Sequence, residues 1–592
     1  MIKKFLIYTL FLLSLSTTLL SQTVTDLRAL FKNGQTFLTW NSLPNKKITY
    51  YIYHSLTPIT KESDINKANF LAKVESNSTL NKRLSELLGK NIYFKIDDIG
   101  NPLNDTKELY VHTPTLDGPY YYAVAVLVND KIIPTVILGE NSLKNPVYEK
   151  IEPVSAVYQL SIDTMGFKQN IYTHWVNKFE NIFYPAMTST YCFAYNFSVI
   201  EKSKKANSPL IVALHERTGN LFTNSKGTSN PDEIILSPDD YLPNDILHSY
   251  WFGYHQNLNI FNPSETPKDG IIIDYTVRRV KWTIDWVVKY FSVDTNRIYL
   301  SGGSMGGSGA ILMSFSFPEK IAATYTVVPK LDYSFIFDPN SNSIYNANKP
   351  RRKVISRLWG ELETNLMTND SMPVYNRLNA GLLATKIASN KSLPYLFLTA
   401  GKNDNIVGWA EKLNVIKKFN DSRLGFTFFW DSRNHSSNST MEFQPEDDIN
   451  KIFKYSLNKS YPAFSNCSAN GNPGNGLPED GDLYGTINGF LNWENIVDEP
   501  DYYEISLNSK TLNTTHGTIK NPDSIFTDIT LRRLQKFKVS KHYSYYYQNI
   551  SLNNKVLQDG YIDADKSNLI TLKNILITSK GNKLIIIRFD KE

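Results

Sequence analysis

Cysteine is nearly absent: Cys192 and Cys467 are the only two in 592 residues. That scarcity excludes a disulfide-built scaffold and leaves no Cys/His cluster of metal-ligand spacing, so no metal or other cofactor is expected. The two thiols are read either as a pair or as two free buried groups. Long apolar runs are missing as well. Past the N-terminus no stretch of about 18 apolar residues occurs, so no transmembrane helix is expected in the mature chain. Charge of one sign is weak: 63 basic and 57 acidic residues leave a net +6. No long Lys/Arg block interrupts the chain. Nucleic-acid binding therefore has no support, and the short basic run 530–535 lacks a stacking motif or a basic stripe. The loop G-x-x-x-x-G-K-[ST] is absent, which removes the commonest phosphate cradle. Hydrophobic residues reach 41%, enough for packed cores and too many for global disorder.

Aromatics are plentiful, with 36 Tyr and 31 Phe, which suits β-rich structure. The N-terminus has the layout of a secretory signal peptide over 1–22: Lys3 and Lys4, an apolar stretch at 5–13, then small polar residues. A secreted or periplasmic protein is the expectation. Residues 23–145 read as short strands broken by turns. Asn33-Gly34 marks one turn. The run 36–40 follows it, with Phe37 and Thr39 on one face and Leu38 and Trp40 on the other. Further runs lie at 48–53, 120–128 and 136–138. From 157 to 460 apolar strands alternate with helical stretches, and this alternation predicts a parallel, doubly wound sheet. The strands are expected at 191–199, 209–214, 298–300, 323–328, 395–398 and 426–430, with helices at 275–291 and 308–317. The segment 331–382 is long for a connection and is read as a cap. Residues 466–485, rich in Gly, Pro, Asn and Asp, read as a linker, and 486–592 as a second all-β module.

Gly302-Gly303-Ser304-Met305-Gly306 matches G-x-S-x-G between a predicted strand and a predicted helix. In that context the serine sits on a sharp strand-to-helix turn with its hydroxyl above the strand ends, so Ser304 is the candidate nucleophile. A serine needs a base, and the base needs an orienting acid, in the chain order Ser, acid, His. His435 follows the last strand and is the candidate base. Asp404, beyond the strand 395–398, is the candidate acid; Asp421 and Asp431 read as turn or cap residues. The backbone N–H of Met305 is one expected oxyanion donor, and Glu216 or Arg217 in the loop after the strand 209–214 supplies the other. Trp409, which follows the acid loop, is read as a wall of the substrate pocket, with packing as the alternative.

The run from Asp294 to Gly307 resembles the nucleophile region of secreted α/β-hydrolase esterases, the group around polyhydroxybutyrate depolymerases, feruloyl esterases and prolyl-oligopeptidase-like hydrolases. The stretch from Leu398 through Asp404 to Trp409 is similar to it too. Trp40, the run 50–53 and Tyr120-Tyr121-Tyr122-Ala123-Val124 resemble a fibronectin type III module. These resemblances imply an α/β-hydrolase sheet flanked by N- and C-terminal β-sandwich-like domains. They also imply ester hydrolysis through an acyl-enzyme, without a cofactor. Glu216 stands where many such esterases carry glycine. Three readings follow. The first is an esterase acting on an ester-bearing polysaccharide or polyester, or on a small ester. The second is a prolyl-oligopeptidase-like serine peptidase, and the third a non-catalytic surface-binding protein. The sequence leaves oligomeric state open.

Overall fold

The computed structural model describes residues 23–44, 48–128, 131–223, 227–335, 349–436, 441–443 and 448–590. The expected signal peptide and part of the expected cap lie outside these residues. The chain forms two compact units, one from residues up to 162 with 169–197, the other from 163–168 with 198–592.

In the first unit, β1 (Arg28–Lys32), β2 (Gln35–Asn41) and β5 (Lys107–His112) form one sheet, while β4 (Asn69–Glu75), β3 (Thr49–Ser55) and β6 (Gly118–Val128) pair in another. Asn33 and Gly34 join β1 to β2 with φ of 52° and 75°, the conformation a two-residue hairpin turn requires. The pleat then sorts side chains as the alternation predicts. Leu38 and Trp40 enter a core with Tyr50, Ile52, Tyr122 and Val124; Phe37 turns the other way, to Leu109, Val111 and Trp175. The longer of this unit's two described helices was not expected from the sequence. It is α1 (Lys82–Leu88), whose Asn81 side chain accepts the Leu84 N–H at 3.1 Å and whose end is closed by Gly89 at φ 66°. Both caps were visible, but the helix is too short to show a period. The strand expected at 136–138 is displaced to Lys131–Ile133.

The second unit is built on a sheet that runs β8 (Ile234–Pro238), β7 (Ser208–Leu214), β9 (Val293–Gly303), β10 (Ala323–Val327), β11 (Tyr395–Gly401), β12 (Phe426–Asp431), β13 (Gly485–Ile487) in space. β7 to β12 are parallel in every pairing, and β13 is antiparallel. Helices α2 (Tyr275–Tyr290), α3 (Ser304–Ser316), α4 (Ala380–Ile387) and α5 (Ala410–Asp421) accompany the sheet. α2 buries Val277, Val280, Ile284 and Val287, the stripe its spacing predicts.

The C-terminal region departs from expectation. Residues 466–485 are not a free linker and 486–592 do not form a separate module. β13 completes the sheet edge against β12. Pro473 and Asp482 accept the indole N–H groups of Trp409 and Trp430 at 3.1 and 3.0 Å. The turn residues serve backbone geometry, with Gly474, Gly476 and Gly481 at φ of 81°, 113° and 73°. Beyond them, a five-stranded and a three-stranded sheet share one core with Tyr299, Tyr325 and Tyr395 of the α/β body, through Tyr503, Ile505, Ile529 and Ile575. Arg532 and Arg533, from the short basic run, are buried. Arg533 donates to the carbonyls of Ala322, Ser456, Ile321 and Leu393 at 2.7 to 3.3 Å. Arg532 binds those of Arg423, Ala388, Asn390 and Ser422 in the same way. Cys192 and Cys467 are both free thiols, and burial pushes them up to about 12 and about 11.

Candidate active site

Parallel pairing sets the C-terminal ends of β7, β9, β10, β11 and β12 along one edge: Gly302 pairs with Leu214, Gly303 with Val327, Val327 with Thr399, and Gly401 with Asp431. Ser304 follows β9 directly, Asp404 lies just past β11, and His435 just past β12. The topology therefore delivers three side chains from distant sequence positions to one edge.

Ser304 sits at φ 50°, in the left-handed region where a non-glycine residue costs about 1–3 kcal/mol and persists only if its surroundings impose it. Its neighbours explain how. A Cβ on Gly302 would lie 2.4 Å from the Gly306 carbonyl carbon, and one on Gly306 would lie 2.1 Å from the Leu214 oxygen. Only glycine allows the strand, the turn and the first residues of α3 to come this close.

The three expected residues form one hydrogen-bonded chain. The His435 Nδ1–H donates to Asp404 Oδ2 at 2.7 Å, and the Ser304 hydroxyl donates to His435 Nε2 at 2.8 Å. Asp404 is buried, while Ser304 and His435 are half-buried. The second oxygen of Asp404 accepts the N–H groups of Ile406 and Val407, each at 2.9 Å. Burial alone would raise the Asp404 carboxyl. The His435 contact, the Lys412 charge and the backbone donor outweigh it, and the group lies below the usual carboxylate range. The two loops are laced together behind the triad: Lys402 N–H donates to Asp431 O at 2.7 Å and Asn403 N–H to Arg433 O at 3.2 Å.

The rivals for the acid do other work. Asp431 is fully buried and accepts the N–H groups of Arg433 and Glu442 at 3.2 and 2.9 Å, which shapes the loop that carries His435. Asp421 pairs with Lys417 on the exposed end of α5. Missed from the sequence were Glu411 and Lys412. Both are buried; Glu411 accepts the ammonium groups of Lys412 and Lys330 at 2.6 and 2.7 Å. A Glu-Lys pair opening a helix reads as solvated surface, so no local signal marks it.

Met305 is buried at the start of α3, where the first backbone N–H groups have no partner within the helix. Glu216 is half-buried and Arg217 exposed, in the loop after β7. His215 anchors that loop. Its Nδ1–H donates to Glu216 O at 2.8 Å, its Nε2 accepts the Asp240 N–H at 2.9 Å, and its carbonyl accepts the Trp251 indole at 3.0 Å. Because Gly306 abuts Leu214 and His215, this loop begins against the turn at Ser304. Trp409 corrects an expectation. It is 2% exposed, stacks on Phe428 at 6.0 Å and lies under Lys402 at 5.7 Å, so it is a packing residue of α5 and not an open pocket wall.

Among the described residues no group of three or more His, Cys, Asp and Glu is arranged to hold a metal ion, and no helix is long and apolar enough to cross a membrane. No described family and no curated protein matches the sequence. Solved structures give partial likenesses. An S-formylglutathione hydrolase from Agrobacterium tumefaciens is 17% identical, covering 47% of this chain and 92% of its own, with a TM-score of 0.33. A ferulic acid esterase is 14% identical over 46% of this chain and 92% of its own, with a TM-score of 0.31. A candidate dipeptidyl aminopeptidase IV from Bacteroides ovatus is 11% identical over 73% of this chain and 48% of its own, also with a TM-score of 0.31.

Proposed function

We propose that this chain is a serine hydrolase of the α/β-hydrolase type that cleaves carboxylic esters through an acyl-enzyme. The observation that supports it most directly is the unbroken chain Asp404–His435–Ser304, with both ring nitrogens engaged at 2.7 and 2.8 Å. With Nδ1–H held by Asp404, the lone pair of Nε2 faces the Ser304 hydroxyl. As Oγ bonds to the ester carbonyl carbon, His435 takes the serine proton. It returns that proton to the alcohol as the C–O bond breaks. Water then attacks the acyl-enzyme by the same route and frees the acid. The Met305 N–H and a donor from the loop at Glu216 or Arg217 are the proposed oxyanion partners, worth about 2.7–4 kcal/mol each in comparable sites.

The proposed substrate is an ester-bearing polymer, a polysaccharide or polyester, met after export through the signal-like N-terminal segment. The first unit then serves as a spacer or polymer binder. A panel of p-nitrophenyl acetate and butyrate, a feruloyl ester and a proline p-nitroanilide tests this with wild type and Ser304→Ala. Ester turnover is expected, and the variant should lose it while its circular dichroism stays unchanged. Retained activity in Ser304→Ala defeats the triad reading. Anilide cleavage without ester cleavage replaces esterase by peptidase, and a folded protein silent on every substrate favours surface binding.

A further inference from the structure

The five-stranded sheet of the C-terminal region has two unlike faces. Along the strand Tyr502–Ser509 the buried apolar residues are Tyr503, Ile505 and Leu507, and along Asn582–Asp590 they are Leu584 and Ile586. These enter the core shared with the α/β body. Side chains alternate between faces along a strand, so Tyr502, Glu504, Ile585 and Ile587 stand on the opposite, outer face.

Register sorts the outer face into rows. Ile587 pairs with Tyr502 on one side and with Tyr546 on the other, and Tyr546 pairs with Tyr561 of the strand Val556–Asp563. Tyr502, Ile587, Tyr546 and Tyr561 therefore form one apolar row across four strands. At the usual strand spacing that row is about 14 Å long. Two residues further along each strand, Glu504, Ile585, Gln548 and Asp559 pair in the same order and form a second, mostly polar row beside the first.

The two rows are tied together. The Tyr546 hydroxyl donates to Asp559 Oδ2 at 2.6 Å and accepts from Gln548 Nε2 at 3.1 Å. The Tyr502 hydroxyl donates to Glu504 Oε2 at 2.5 Å, and Lys583 Nζ lies 2.8 Å from the other oxygen of Glu504. These contacts fix both rings in place. Tyr561 is 79% exposed, and its ring centre lies 5.1 Å from that of Tyr546. Tyr502, Tyr546 and Ile587 are half-buried.

A protein partner is the poorer occupant of this face. Interface cores are depleted of charged residues, and a dry surface closing here would strip water from Glu504, Asp559 and Lys583. A sugar chain fits both rows at once. A pyranose ring offers a face of C–H groups to aromatic and aliphatic side chains, and hydroxyl donors along its edge to carboxylate and amide oxygens. The row is longer than one such ring and suits a chain of them. Asp559, on the edge strand of the sheet, disfavours an acidic chain.

We propose that this outer face is a glycan-binding platform. A neutral polysaccharide chain lies across the strands along Tyr502, Ile587, Tyr546 and Tyr561, with its hydroxyls meeting Glu504, Gln548 and Asp559. None of Ser304, Asp404 and His435 belongs to this sheet, so binding is separate from ester hydrolysis and does not rest on the triad.

The test is native affinity electrophoresis of the full chain in gels that contain xylan, glucomannan, hydroxyethyl cellulose or laminarin, with polygalacturonate as the acidic counterpart. At least one neutral polymer should retard the wild type, and polygalacturonate should not. Tyr561→Ala should weaken binding of that polymer at least about tenfold, the loss expected when an aromatic anchor is truncated. Tyr561→Phe should stay within about twofold, because the ring face is kept. Tyr502→Ala, at the other end of the row, should lose binding as Tyr561→Ala does, and circular dichroism reports whether each variant is folded. If neither alanine variant folds, hydrogen exchange of the strand Val556–Asp563 in wild type is read with and without the polymer, and protection is expected. The proposal is overturned if no neutral polymer retards the wild type, if polygalacturonate retards it equally, or if the folded alanine variants bind, or the exchange runs, as though the row were not involved. Sedimentation of the same preparations covers the remaining occupant: a wild-type dimer that Tyr561→Ala dissociates makes this face an interface between copies of the chain and overturns the proposal too.

Discussion

At the scale of single residues, two buried aspartates end up near one histidine, and geometry assigns them different work. Asp404 meets His435 directly, whereas Asp431 spends both oxygens on backbone N–H groups. Asp404→Asn should therefore lower kcat by about 10⁴, with KM little changed, because the amide cannot hold the Nδ1–H tautomer. Asp431→Asn should leave kcat within about tenfold and act instead on stability, through weaker acceptance of two backbone donors. Steady-state kinetics and thermal melts on the two variants decide the matter; the opposite pattern reassigns the acid. Ser304, Asp404 and His435 were legible in the sequence because each follows a strand whose apolar run is plain. Their order along the chain is set by the sheet. Glu411 and Lys412 were not legible, because their burial is decided by segments far away in sequence, Lys330 and Leu331 among them. The choice between wall and packing for Trp409 was open for a related reason: Pro473, whose carbonyl accepts its indole N–H, belongs to a stretch expected to be free.

At the scale of elements, the turn at Ser304 is a place where three backbones nearly touch. The motif glycines are there for space, and Gly306 is the stricter of the two. Gly306→Ala would bring its Cβ to 2.1 Å from the Leu214 oxygen, and backbone on both sides cannot yield cheaply. A loss of about 1–3 kcal/mol is expected from overpacking, together with at least about a hundredfold loss in kcat/KM from a displaced Ser304. Denaturant titration and ester kinetics on the same preparation check both. Normal activity in a stable Gly306→Ala protein removes the steric account of the motif. The helix α3 was placed four residues late by the sequence reading, because Ser304 to Gly307 have poor helix propensity and read as turn. Packing overrides that propensity, and the helix begins at Ser304 itself.

At the scale of the whole molecule, the region after Asn466 is structural material of the second unit. Arg533 closes four backbone carbonyls of the α/β body with one guanidinium. Arg533→Met should cost at least about 3 kcal/mol, since each buried acceptor left open costs roughly 1–3 kcal/mol. Unfolding of the second unit, followed by ester turnover and by hydrogen exchange of the strands Tyr502–Ser509 and Asn582–Asp590, should show one transition in wild type and variant alike. Two separate transitions in wild type would restore the independent module that the Gly- and Pro-rich composition suggested. Composition alone could not reveal this, because turn residues look the same whether they are mobile or pinned by indole and ammonium donors. The strand Asn582–Asp590 lies between Tyr502–Ser509 and Tyr543–Ser551, and its Leu584 and Ile586 enter the core shared with Tyr299. A growing chain on the ribosome thus carries Ser304 for nearly three hundred residues of synthesis before that core can close. On the proposed function, hydrolysis is acquired only once the strand Asn582–Asp590 has been made, and a chain lacking that strand carries Ser304 on an unfinished scaffold.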